Sequence, residues 1–242
     1  MDLTDGGRLL FSADDLSVLP AIAMQTNALF TWLGVPYGFT LILFWRHDPR
    51  VLEADMWPGR RTVNGGFTTP GSNVITVYRS EEWERVLLHE TIHALGWDWD
   101  VPSTVLPCWG LDPRSSLSPH LFEAWTELYA EWLYCGWFNK SWTRQRAWQR
   151  KQAVQVLARA PPVWKEDTNI FAYYVLKTAL APHLPFLWTA SQNMTAEDRN
   201  HILCELAGPT LAELREEASK TRPQALSMRM SAPLAIKMMP KN

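Results

Sequence analysis

In the segment Leu88-His89-Glu90-Thr91-Ile92-His93-Ala94-Leu95-Gly96, two imidazoles stand four residues apart with a carboxylate directly after the first. Residues at that spacing share one face of a helix, so both rings can reach a single tetrahedral zinc ion (Zn2+). Glu90 then stands where a carboxylate can take a proton from metal-bound water without binding the metal. The neighbours Val86, Leu87 and Ile92 are apolar, which lays this helix on a core. Two histidines and a glutamate held there without a metal would need partners for all their polar atoms, at about 1–3 kcal/mol for each one missing.

The surrounding pattern places strands before this helix and helices after it. Phe39–Trp45 and Asn73–Arg79 are rich in β-branched and aromatic residues and read as strands. Ser80 can cap the helix, Glu81, Glu82 and Glu84 suit its first turn, and Gly96 is placed to end it. The stretch from Trp97 to Leu117 holds Pro102, Pro107 and Pro113 and reads as a loop. A second helix is expected from Ser118 and Pro119 to about Gly136, and a third from Ser141 to Pro161–Pro162. A fourth runs from Asp167 or Thr168 to near Pro182, a fifth from Thr195 to Gly208, and a sixth starts at a Thr210/Glu213 capping box. The expected fold class is α+β in a single domain, residues 1–242: a small N-terminal sheet in 1–79 and a mainly helical part, 80–242, carrying the site.

In the second helix Glu123, Glu127 and Glu131 recur every four residues on one face. Such a row of like charges invites a cation or hydrogen-bonding partners. His89-Glu90-x-x-His93 followed by Glu123-Ala-Trp-Thr-Glu127 resembles the gluzincins, the thermolysin-like zinc metallopeptidases, over the segment from Asn73 to Ala130. The resemblance implies a zincin-like fold, zinc bound by His89, His93 and Glu123, Glu90 as general base and proton shuttle, and Glu127 holding a ligand imidazole in its productive tautomer. Glu127 stands where the family has an aspartate, and a shifted register would make Glu127 the third ligand instead. The metzincin pattern HExxHxxGxxH is also approached, with Gly96 in place, but Trp99 stands where its third histidine belongs and Asp98 and Asp100 are each one residue off. Asn73–Arg79 resembles the edge strand on which zincins lay an extended substrate, and the glycines at 65, 66 and 71 would let a peptide approach. A neutral donor for the developing oxyanion is sought in Tyr173 or Tyr174, with His183 and His201 behind them.

Composition sets the outer limits. The 242 residues are 47% hydrophobic and 20% charged, enough to bury a core, which sets aside disorder and coiled coils. A net charge of -2 gives no global field for nucleic acid or an anionic membrane. Lys140, Arg144, Arg146, Arg150, Lys151 and Arg159 make the third helix basic and offer a face, 140–159, to an acidic partner. The uncharged stretch Ala28–Trp45 has the length of a membrane span, yet Gly34, Pro36 and Gly38 break it into a helix end, a turn and a strand. Three widely spaced cysteines, Cys108, Cys135 and Cys204, argue against a disulfide framework, and no signal peptide is visible, so an intracellular, cytoplasmic location is expected. The expected activity is zinc-dependent hydrolysis of peptide bonds in a protein or peptide substrate. The alternatives are a zincin-fold binding protein of a larger assembly with a non-catalytic metal, and a zinc hydrolase of a non-peptide amide.

Overall fold

The computed structural model describes residues 1–3, 6–36, 38–98, 109, 122–161, 163–191 and 195–233. Its N-terminal part is a four-stranded mixed sheet and the rest is mainly helical, an α+β arrangement. In the sheet β1 (Arg8–Ser12), β2 (Thr40–Phe44) and β5 (Val74–Val77) run parallel, and β4 (Gly66–Thr68) closes one edge antiparallel to β5. α1 (Leu19–Leu33) carries the chain from β1 to β2, so the α+β fold includes one βαβ crossover at its start. A parallel pair requires a crossover of this kind. Leu9, Leu41, Leu43, Ile75 and Val77 fill the core beneath the sheet. Val51–Leu52 (β3) pairs with Leu226–Ser227 (β6), which returns the C-terminal segment to the N-terminal part.

α1 stops where Gly34 turns left-handed at φ 66°, and the chain then enters β2. The uncharged stretch is therefore a helix end, a turn and a strand, and among the described residues no helix is long and apolar enough to cross a membrane.

A short helix, α2 (Arg60–Val63), precedes β4, and α3 (Trp83–Ala94) follows β5. Ser80 does not cap α3: its hydroxyl donates to the Arg46 carbonyl, and Glu82, left-handed at φ 59°, occupies the cap position. The reason lies in the Glu82 carboxylate, which is buried and receives Arg50 and the main chain of Met230 and Ser231. Gly96, at φ 64°, ends the helix as its sequence position predicts, with the Gly96 and Trp97 amides donating to the His93 and Ile92 carbonyls.

α4 (Phe122–Trp137) packs along α3, while its expected start at Ser118 and Pro119 and most of the preceding loop lie outside the described residues. α5 (Trp142–Leu157) begins at Ser141, whose hydroxyl accepts the Arg144 amide. Part of its basic run is already engaged within the fold, since Arg150 pairs with Glu217 and Glu213, and Arg144 and Arg159 donate to the carbonyls of Pro233 and Gln224. The next helix opens with a π-helical turn, Phe171–Leu176, which runs directly into α6 (Lys177–Leu180). It does not end at Pro182: a 3-10 turn, Ala181–His183, leads into α7 (Leu184–Ser191). A proline in a first turn lacks only an amide that would have no helical partner there.

The expected fifth and sixth helices are one, α8 (Ala196–Ser219), running through Gly208 and Pro209 after the Thr195 cap. Leu214 and Ala218 pack on Ala153 and Val154 of α5, and this apolar stripe outweighs the local break at Pro209. Cys204 in α8 is disulfide-bonded and Cys135 is a buried free thiol, so the cysteines do not support the reducing compartment that their spacing suggested.

Candidate metal centre

The site forms where α3 crosses α4. His89, Glu90 and His93 are each buried to 6% exposure by the sheet and α4. The His89 and His93 Nε2 atoms lie 3.0 Å apart, and Glu123 Oε2 lies 3.1 Å from the first and 3.2 Å from the second. Three ligands about 2.0–2.1 Å from one tetrahedral zinc stand roughly 3.3 Å from one another, so this triangle fits such an ion with a small outward relaxation. The chemistry of the donors fits as well. Two ring nitrogens facing each other at 3.0 Å repel when both are protonated or both carry lone pairs, and a shared cation relieves that conflict. His89, His93 and Glu123 form a group that could hold a metal ion.

Each imidazole is backed by a carboxylate. His89 Nδ1 lies 2.8 Å from Glu127 Oε2, and His93 Nδ1 lies 2.9 Å from Asp98 Oδ1. Both separations have hydrogen-bond length. Glu127 Oε1 takes Arg85 Nη1 at 2.5 Å and lies 3.5 Å from Lys177 Nζ, which also binds Glu131. Gln149 donates to the other oxygen of Glu131. The carboxylate row of α4 is thus divided between the imidazoles and two buried cations. Of the two registers open in the sequence, the geometry sets Glu123 beside both Nε2 atoms and Glu127 behind His89.

The electrostatics follow from this packing. Burial alone would lower His89, but its contacts with Glu123 and Glu127 outweigh it and hold the ring up at about 10. Burial likewise opposes the Asp98 and Glu123 contacts of His93, which raise it to about 9. Glu123 is drawn down to about 2 by the two imidazoles against the opposing effect of its burial. Burial pushes Glu90 up to about 7, against the pull of both imidazoles.

A cavity of about 790 Å3 opens beside the triad, lined by Gly66, Phe67, Tyr78, Glu90, Phe122 and Tyr173 among others. The Tyr173 ring stands edge-on to His89 at 5.9 Å, and its hydroxyl receives Asn169 Nδ2 at 3.4 Å. Burial holds that hydroxyl well above its usual range, so it remains an O–H donor. Tyr174 requires correction: it is fully buried and its hydroxyl donates to the Met228 carbonyl, away from the cavity. Consecutive residues of this π-helical turn point to different sides, and Tyr173 takes the side that lines the cavity. His201 is exposed and pairs with Glu205, and neither it nor His183 lines the cavity.

The edge strand is also corrected. β5, expected at the edge, lies between β2 and β4, and β4 forms the rim of the cavity. Gly66 lets β4 press on α3: a Cβ there would meet the Thr76 carbonyl and Val86 Cγ1, each at 2.7 Å, and Glu90 Cγ at 3.3 Å. We expect Gly66→Ala to lower stability by about 1–3 kcal/mol, measured by urea unfolding. Wild-type stability in that variant would show that the strand can lift off the helix without loss.

Sequence reasoning missed Arg85, Lys177 and Thr126 and treated Asp98 only as a misplaced ligand. Arg85 precedes His89 by one helical turn and Thr126 follows Glu123 by one, so helical spacing carried a signal for those two. No family model, curated protein or solved structure matches this chain in comparisons with known proteins.

Proposed function

We propose that the protein is a zinc-dependent metallopeptidase with a zincin-like fold, similar in its motifs to the gluzincins. The observation that carries this reading is the convergence of His89 Nε2, His93 Nε2 and Glu123 Oε2 at 3.0–3.2 Å, with Glu90 in the adjoining cavity and outside that triangle. His89, His93 and Glu123 would hold the ion, and a zinc ion there supplies a Lewis acid that polarises a carbonyl and acidifies water. The edge of β4 presents main-chain groups to an extended peptide. Glu90 takes the proton of the attacking water and passes it to the amine that leaves as the peptide C–N bond breaks. Tyr173 donates its O–H toward the carbonyl oxygen as negative charge gathers there. Arg85 and Lys177 keep Glu127 ionised behind His89.

Metal analysis and a peptide-library assay on the full chain test this reading. One equivalent of zinc should bind, and cleavage should stop on chelation and return on adding zinc back. Absence of bound metal after zinc loading would overturn the reading. Stoichiometric zinc with no cleavage of any peptide would move it to a binding protein with a structural ion.

A further inference from the structure

Asp98 lies just past the left-handed turn at Gly96, which sets its side chain beside His93. Its Oδ1 lies 2.9 Å from His93 Nδ1 and accepts the Thr126 hydroxyl at 2.8 Å. Thr126 stands one turn beyond Glu123 on α4, fully buried, and the Trp125 indole N–H donates to the Trp97 carbonyl beside it at 3.3 Å. The same two turns of α4 therefore carry a proposed ligand and the clamp on Asp98. His93 can offer Nε2 to a metal only as the tautomer with its proton on Nδ1, and the carboxylate beside that nitrogen decides how firmly the ring is held in that state. Glu127 occupies the equivalent place behind His89. The two carboxylates reach the rings from different parts of the chain, one from α4 and one from the segment that leaves α3.

We infer that Asp98, clamped by Thr126, is a positioning residue that fixes the His93 ring for metal binding. This rests on the metal-centre reading above. Loss of the carboxylate acts in one direction through two causes, since it frees the ring to rotate and removes a negative charge close to a dication. A purely structural Asp98 would do something else: it would tie the end of α3 to α4 and leave the metal indifferent to it.

The test uses the full chain, with zinc affinity measured by competition against a chromogenic chelator and ligand geometry by the visible absorption of the cobalt-substituted protein. We expect Asp98→Ala to weaken zinc binding by about 10–100-fold and to shift the cobalt bands. Asp98→Asn, which keeps an acceptor oxygen, should fall between wild type and Asp98→Ala. Thr126→Val should weaken binding in the same direction by less, and it carries the test if Asp98→Ala does not fold. Removing the exposed carboxylate of Asp55, which does not line the cavity, in Asp55→Ala should change nothing. Wild-type zinc affinity and cobalt bands in Asp98→Asn and Thr126→Val, with only the thermal midpoint of the metal-free chain lowered, would reduce Asp98 to a tether. A wild-type chain that takes up no zinc overturns the metal-centre reading itself, and with it this inference.

Discussion

Glu90→Gln should keep its zinc and lose about 10²–10⁴-fold in peptide hydrolysis. The amide has nearly the shape of the carboxylate, so the packing of Glu90 beneath Gly66 and β4 survives the change. What it lacks is a site basic enough to accept a proton. Glu90 lies outside the triangle formed by His89, His93 and Glu123, so metal content should remain at one equivalent. Chemistry and binding therefore separate in this variant, which they cannot do in a ligand variant. Metal analysis beside single-turnover hydrolysis reads both quantities, and the loss should fall on kcat with KM little changed, because the group acts on the proton in flight and not on the resting substrate. Full activity with zinc retained would remove Glu90 from the reaction and return its role to packing.

How much of this was visible beforehand depends on the range of the interactions involved. α3 was legible because its signals are local: spacing of four for the imidazoles, apolar neighbours, and Gly96 in the only position where a left-handed stop closes the helix. Glu123 was legible as one of two registers, and the choice between them needed Arg85 and Lys177, cations from α3 and α6 that claim Glu127. Such pairings form across tertiary contacts and leave no periodicity in the chain. β4 is three residues long, too short to show alternation, and exists because two glycines let it lie against α3. That is why the edge of the sheet was assigned to β5. α8 passes through Gly208 and Pro209 because packing on α5 overrides a local break, which propensity alone cannot anticipate. Asp98 sits past the helix end where no pattern operates, and its place beside His93 follows only from the direction in which Gly96 turns the chain.

Glu82→Ala should cost about 3–5 kcal/mol, with a thermal midpoint lowered by roughly 10 °C for a chain of this size. Arg50 is 1% exposed and its guanidinium meets the Glu82 carboxylate at 2.5 Å. The other Glu82 oxygen accepts the Ser231 amide and hydroxyl, and the Met230 amide donates to the oxygen shared with Arg50. Removing the carboxylate takes its closest anion from a buried cation, which keeps Glu81 and the Val63 carbonyl, leaves the Met230 and Ser231 amides without their acceptor and loosens the C-terminal segment from the start of α3. Burial alone would raise the Glu82 carboxyl, but Arg50, Arg85 and Arg229 outweigh it and hold it below its ordinary 4.5. A lowered folded-state value means that this stabilisation is present in full above about 4.5 and is lost as pH falls through the folded value. Glu82→Gln, which keeps an acceptor but no charge, should therefore trail wild type clearly in urea unfolding at pH 7 and approach it as the solution is acidified. A stability gap between the two that stayed constant from pH 7 down to pH 3 would mean that the Glu82 charge contributes nothing through Arg50, and that the segment is held by hydrogen bonds alone.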